Sequence, residues 1–188
     1  MLRIIMILFF TTLLVVGCAE QKSETANVDT SKQVPGEISY SVSADWKSEK
    51  PISQMRKAQY KIPGVEGAED AEMAVFVFPG TGGSVNANID RWISQIKQPD
   101  GSDSKEKTKI INKNVNNLPV TVMYVTGTYL KSSSQMMMGG PKEEMPEYAM
   151  LAAIVETSKD PWFFKMVGPQ KTVDHWRPEF DKFVNSFK

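Results

Sequence analysis

The chain has 188 residues, with 22 Lys plus Arg balancing 22 Asp plus Glu, so its net charge is zero. No basic stripe or acidic tail breaks that balance, which argues against a nucleic-acid interface and leaves little electrostatic attraction to an anionic bilayer. With one cysteine and one histidine, a disulfide within the chain is excluded, and Ser-His-Asp triads and His metal sets shrink to a single member.

In chain order, Arg3 precedes an apolar run from Ile4 to Val16 broken only by Thr11 and Thr12. This is the pattern of a secretory signal peptide, and it is shorter than the ~20 residues a transmembrane helix needs. The run ends at Val15-Val16-Gly17-Cys18. That tetrapeptide resembles the bacterial lipoprotein box, with Val where Leu is commoner. The resemblance implies lipidation of Cys18: diacylation on sulfur, cleavage that makes it the mature N-terminus, and a third acyl chain. At ~0.8 kcal/mol per buried methylene, two chains already anchor a protein stably. Ala19 stands where an Asp would signal inner-membrane retention. The expected address is therefore the cell envelope, on the periplasmic face of the outer membrane if the source has two membranes.

Residues 1–17 thus read as a signal peptide and 18–36 as a polar tether ended by Pro35-Gly36, with 37–188 as one globular domain. Within the domain, Ile38 to Val42 alternates with period two and predicts a first strand. Met55 to Ile62 and Met73 to Phe78 predict two more. Val85, Ile89, Trp92, Ile93 and Ile96 share one helical face, with Ser84 or Asn86 as N-cap and Pro99 as the stop. Arg91 and Gln95 lie off that stripe or at its margin. Ile110 to Val115 and Val120 to Val125 predict a hairpin about Asn116-Asn117. The pattern then breaks from Lys131 to Pro146.

Tyr148 to Val155 is a nearly unbroken apolar run, the mark of a strand covered on both faces. Trp162 to Val167 predicts a last strand. A terminal helix carries Val173, Trp176, Phe180, Phe183, Val184 and Phe187, with Thr172 as cap and a kink or restart at Pro178. The expected fold is α+β, a largely antiparallel sheet of about six to seven strands covered by two main helices.

Trp46, the helix start from Asn86 to Trp92, the strand Trp162-Phe163-Phe164-Lys165-Met166-Val167-Gly168-Pro169 and the ending Phe183-Val184-Asn185-Ser186-Phe187 together resemble PsbP-like domains over about residues 38 to 188. The resemblance implies an α/β/α sandwich and an accessory, partner-binding role without catalysis. It carries no functional residue to a position here, and no cofactor is implied.

Among the local motifs, Gly80-Thr81-Gly82-Gly83 follows a strand and opens a helix, the architecture that cradles phosphates through backbone amides. It lacks both GxGxxG and the P-loop lysine, so the plainer reading is a flexible connecting loop. Met136, Met137, Met138, Met145 and Met150 are soft ligands suited to Cu(I). Their plainer reading is an adaptable apolar loop tip, itself a surface for an envelope protein partner, with Met150 in the core. Glu66, Glu69, Asp70 and Glu72 read as a solvated acidic loop. Asp100 to Glu106 fails the calcium-loop template at Lys105 and Ile111. His175 next to Trp176 reads as an edge or capping residue. The expected function is non-catalytic binding at a membrane through the lipid. Ligand or metal handling by the Met-rich or glycine loop is the alternative, and a hydrolase would need convergent titratable groups in one cleft.

Overall fold

The structure, a computed structural model, describes residues 37–132 and 142–188. Cys18, the tether and Met136, Met137 and Met138 lie outside the described residues. Among the described residues, eight strands and three helices follow one another as β1 (Lys47–Glu49), β2 (Arg56–Ile62), β3 (Ala71–Val77), α1 (Val85–Ile93), β4 (Ile96–Lys97), α2 (Ser104–Lys107), β5 (Lys109–Val115), β6 (Leu118–Ser132), β7 (Lys142–Val155), β8 (Trp162–Pro169) and α3 (Gln170–Asn185). The sheet runs β1-β2-β3-β8-β7-β6-β4, and β5 pairs β6 along the same edge as β4. Every pairing is antiparallel. The domain is α+β.

Period-two alternation sorts the strand residues onto two faces. One face carries Tyr60, Met73, Val75, Val122, Leu151, Ala153, Phe164 and Met166 against α3, which lays Val173, Trp176, Phe180, Phe183 and Val184 over them. Phe164 and Phe183 meet edge to face at 5.1 Å, and Phe164 stacks on Phe187 at 5.0 Å. Burying such side chains contributes ~1.5–3 kcal/mol each, as an upper estimate. The other face carries Met123, Val125, Met150, Ala152, Ile154 and Phe163 beneath Ile89, Trp92 and Ile93 of α1.

The strand count exceeds the expected six or seven because β1 and β4 are too short for periodicity to reveal. Ile38 to Val42, expected as the first strand, joins no ladder of the sheet. Its backbone is instead tied to the C-terminus, where Ser39 and Lys188 exchange hydrogen bonds at 3.0 and 3.1 Å, so Ile38, Tyr40 and Val42 pack on the end of α3. Trp46 packs on Trp176 and Phe183. Its buried Nε1 has no hydrogen-bond partner among the described residues.

Helix α1 begins as expected, with Ser84 Oγ accepting from the Ala87 amide at 3.2 Å. It ends at Ile93, well before Pro99, because Ile96 pairs with Tyr129 and the Leu130 amide donates to Gln95 at 2.8 Å. Ile96 is buried as its helical phase implied, but from a strand. Thr172 does not cap α3; it is buried and its hydroxyl donates to the Glu69 carbonyl at 2.8 Å. Nor does Pro178 interrupt the helix: it sits on the solvent side, where bending toward water is tolerated.

The stretch expected to break between Lys131 and Pro146 is partly strand. There β6 and β7 run on as an arm to the pair Ser132 and Lys142. Pro146 and Glu147 form a β-bulge in β7, with Glu147 at a left-handed φ of 55°. Opposite it Gly127 takes φ 148°, and a Cβ there would lie 2.7 Å from the Lys97 carbonyl, so only glycine lets β4 approach β6.

Candidate functional site

The face under α1 changes character across the sheet. One row of paired residues reads Gln59, Ala74, Lys165, Ala152 and Met123 from β2 to β6. The rows on either side read Lys61, Glu72, Val167, Met150 and Val125, and Arg56, Phe76, Phe163, Ile154 and Thr121. Each row is polar or mixed at β2 and β3 and mostly apolar toward β7 and β6. Helix α1 packs on the apolar half, which leaves a shelf over β2, β3 and β8 that no helix among the described residues covers.

Long side chains lie over that shelf and keep Ala74 buried. Arg56 donates to Glu72 Oε1 at 2.7 Å and to Gln59 Oε1 at 2.8 Å, with its guanidinium 5.9 Å from the Phe76 ring. Arg91, at the margin of α1, donates to Asn88 Oδ1 at 2.5 Å. Lys165, between the two alanines, donates to Gln95 Oε1 at 2.5 Å and sits 5.4 Å from the Tyr129 ring centre. Tyr129 stacks on Tyr148 at 6.3 Å.

The ammonium of Lys165 is largely desolvated, although part of the side chain's area stays open to water. Burial, reinforced by the positive charges of Arg91 and Arg56 and opposed by Glu72, brings its pKa down to about 7. Burial first and Glu72 second push the Tyr129 phenol above its usual range. Three cationic donors and one carboxylate thus face one another at the border of an apolar core. This cluster escapes sequence reading. Its one signal is Lys165, the single charge inside the apolar run Trp162 to Val167.

Residues singled out from the sequence do not gather there. Gly80 to Gly83 lead into the α1 N-terminus, and Gly83 borders, with Glu156, Thr157 and Pro161, a depression of about 410 Å³. The Gly80 amide already donates to Asp160 Oδ1 at 2.9 Å, and the Gly82 carbonyl accepts from Asn88 at 2.7 Å. The loop is therefore braced from within, and a carboxylate holds one of the amides an anion would need. A second depression of about 570 Å³ lies between the end of α1 and α2, bordered by the ion pair of Lys105 and Asp90 at 2.9 Å.

The four acids disperse. Glu66 pairs with Lys171 at 2.7 Å, Asp70 with Lys61 at 2.8 Å and Glu72 with Arg56, while Glu69 accepts from Tyr148 at 3.4 Å. Among the described residues, no three His, Cys, Asp or Glu side chains are grouped to hold a metal ion. Met150 is buried in β7, Met145 is half-buried on the arm, and His175 is exposed with its ring against Trp176. No helix among the described residues is long and apolar enough to cross a membrane.

No protein-family model matches the chain, and no curated protein does. A solved structure with some likeness is that of PA94 from Pseudomonas aeruginosa, a protein of unknown function described as a candidate regulator. It aligns at 9% identity and a TM-score of 0.46, covering 75% of this chain and 94% of that one.

Proposed function

We propose that the chain is an envelope lipoprotein, acylated at Cys18, whose PsbP-like domain works by binding a partner rather than by catalysis. Val15-Val16-Gly17-Cys18 supports the anchor. The unequal cover of the two sheet faces carries the binding role. One face is sealed by the aromatic side of α3, while the other leaves Arg56, Glu72, Phe76, Lys165 and Tyr129 half-exposed beside α1. Mixed charge with aromatic surface, on a rigid sheet, is the composition of a recognition patch rather than of a solvated face.

A photo-crosslinking amino acid tests this when placed at Phe76 on the shelf or at Lys182 on the exposed side of α3, in the acylated protein in its native envelope. The expected result is a discrete adduct from position 76 alone. Equal yields from both positions, or none from either, would contradict it.

The alternative is small-ligand or Cu(I) handling through the glycine loop or Met136 to Met150. The depression beside Gly83 favours it by offering room for a small molecule. Saturable Cu(I) binding lost on replacing Met136, Met137 and Met138 with Leu would support it, and unchanged binding would sink the metal form of it.

A further inference from the structure

We infer that the shelf is a site for a small dianionic oxyanion, either free phosphate or sulfate or a phosphate borne on a larger molecule, held by Arg91 and Lys165 with Arg56 beside them. This goes beyond the binding role proposed above and does not depend on acylation.

The first reason is an unbalanced charge count. Arg56 is matched by Glu72 at 2.7 Å. Arg91 and Lys165 have no carboxylate at ion-pair distance among the described residues, and each donates to a neutral amide oxygen, Asn88 Oδ1 and Gln95 Oε1. Exposed Arg91 acts as a like charge on half-buried Lys165, and a dianion between them would remove that repulsion while satisfying their remaining donors.

The second reason is the choice of residue. Lys165 is flanked across the ladder by two buried alanines, Ala74 and Ala152, where a Met or Leu would fill the same volume at no electrostatic cost. The third is donor variety. Arg91 offers a planar guanidinium fork and Lys165 a compact ammonium, the latter 5.4 Å from the Tyr129 ring, which stacks on Tyr148.

The test uses the full chain in neutral detergent, titrated with sodium sulfate at constant ionic strength and followed by backbone-amide NMR. Sulfate keeps its charge across the pH range while Lys165 loses its own. The expected result is a saturable shift centred on Arg56, Arg91, Gln95 and Lys165, with affinity about tenfold weaker at pH 8.5 than at pH 6. Lys165→Met should abolish the shift, Arg91→Met should weaken it, and Lys165→Arg should retain it with a flat pH profile. Should Lys165→Met fail to fold, the other two variants carry the test.

Shifts that do not saturate, that scatter over the exposed lysines, or that are identical in Arg91→Met and Lys165→Arg overturn the proposal. Competition assigns the source of the anion. Displacement of sulfate by inorganic phosphate alone marks a soluble ligand. Displacement by vesicles containing phosphatidate, but not by pure phosphatidylcholine vesicles, marks a lipid headgroup.

Discussion

Lys165 shows how one side chain can be decisive and yet hidden in a sequence. Within Trp162 to Val167 it reads as an interruption of a core strand. Its setting comes from residues far away, Gln95 being 70 positions off and Arg56 reached only through the pairing of β2, β3 and β8. Because its folded pKa is lowered to about 7 while the unfolded chain keeps its proton to about 10.4, the unfolded state binds more protons between those values. The Lys165 contribution therefore opposes folding fully below pH 7 and is relieved as pH rises from about 7 to about 10. Lys165→Met is expected to gain about 1–2 kcal/mol in stability relative to the parent at pH 6 compared with pH 9, after discounting for partial exposure. Urea unfolding at the two pH values measures this, and an equal difference at both would refute it. The glycine loop gives the same lesson in reverse. Its order of strand, glycines and helix was legible, but the Asp160 that takes its amide lies 80 positions along the chain.

At the scale of elements, helix α1 was legible at its start because Ser84 and the apolar stripe are local signals. Its end was not, since Ile96 happens to fall in phase with the stripe while belonging to β4. Ser84→Ala should cost about 1 kcal/mol through loss of the cap, read by thermal unfolding. The arm of β6 and β7 was hidden for a different reason. Its strands are polar and exposed, so the usual alternation is missing, and the cross-strand pair Lys131 to Glu143 at 3.7 Å becomes visible only once the register is known. Gly127→Ala should destabilise by about 1–3 kcal/mol, because a Cβ collides with the β4 backbone at a φ that favours glycine. Hydrogen exchange should then quicken first in β4 and the facing part of β6. Uniform acceleration across the sheet would mean that Gly127 serves some other purpose.

Across the whole molecule, the fold class was legible because the buried run Tyr148 to Val155 and the aromatic stripe of α3 fix a central strand and its cover. Asymmetry between the two faces was not, since it depends on which strands α1 lies over. The sealed face should be the stability centre. Phe180→Ala is expected to cost about 3–5 kcal/mol, whereas truncating half-exposed Phe76 should cost far less. Comparable losses in denaturant titrations of the two variants would contradict that division between a structural face and the proposed binding face. Under the proposed binding role, the proposed lipid at Cys18 would hold the domain where its partner is. Metabolic labelling with radioactive palmitate, followed by sedimentation with membranes, tests the anchor most directly. The expected result is label and membrane association in the parent chain, both lost in Cys18→Ser. An unlabelled parent, or a Cys18→Ser chain that sediments as firmly, would contradict the claim.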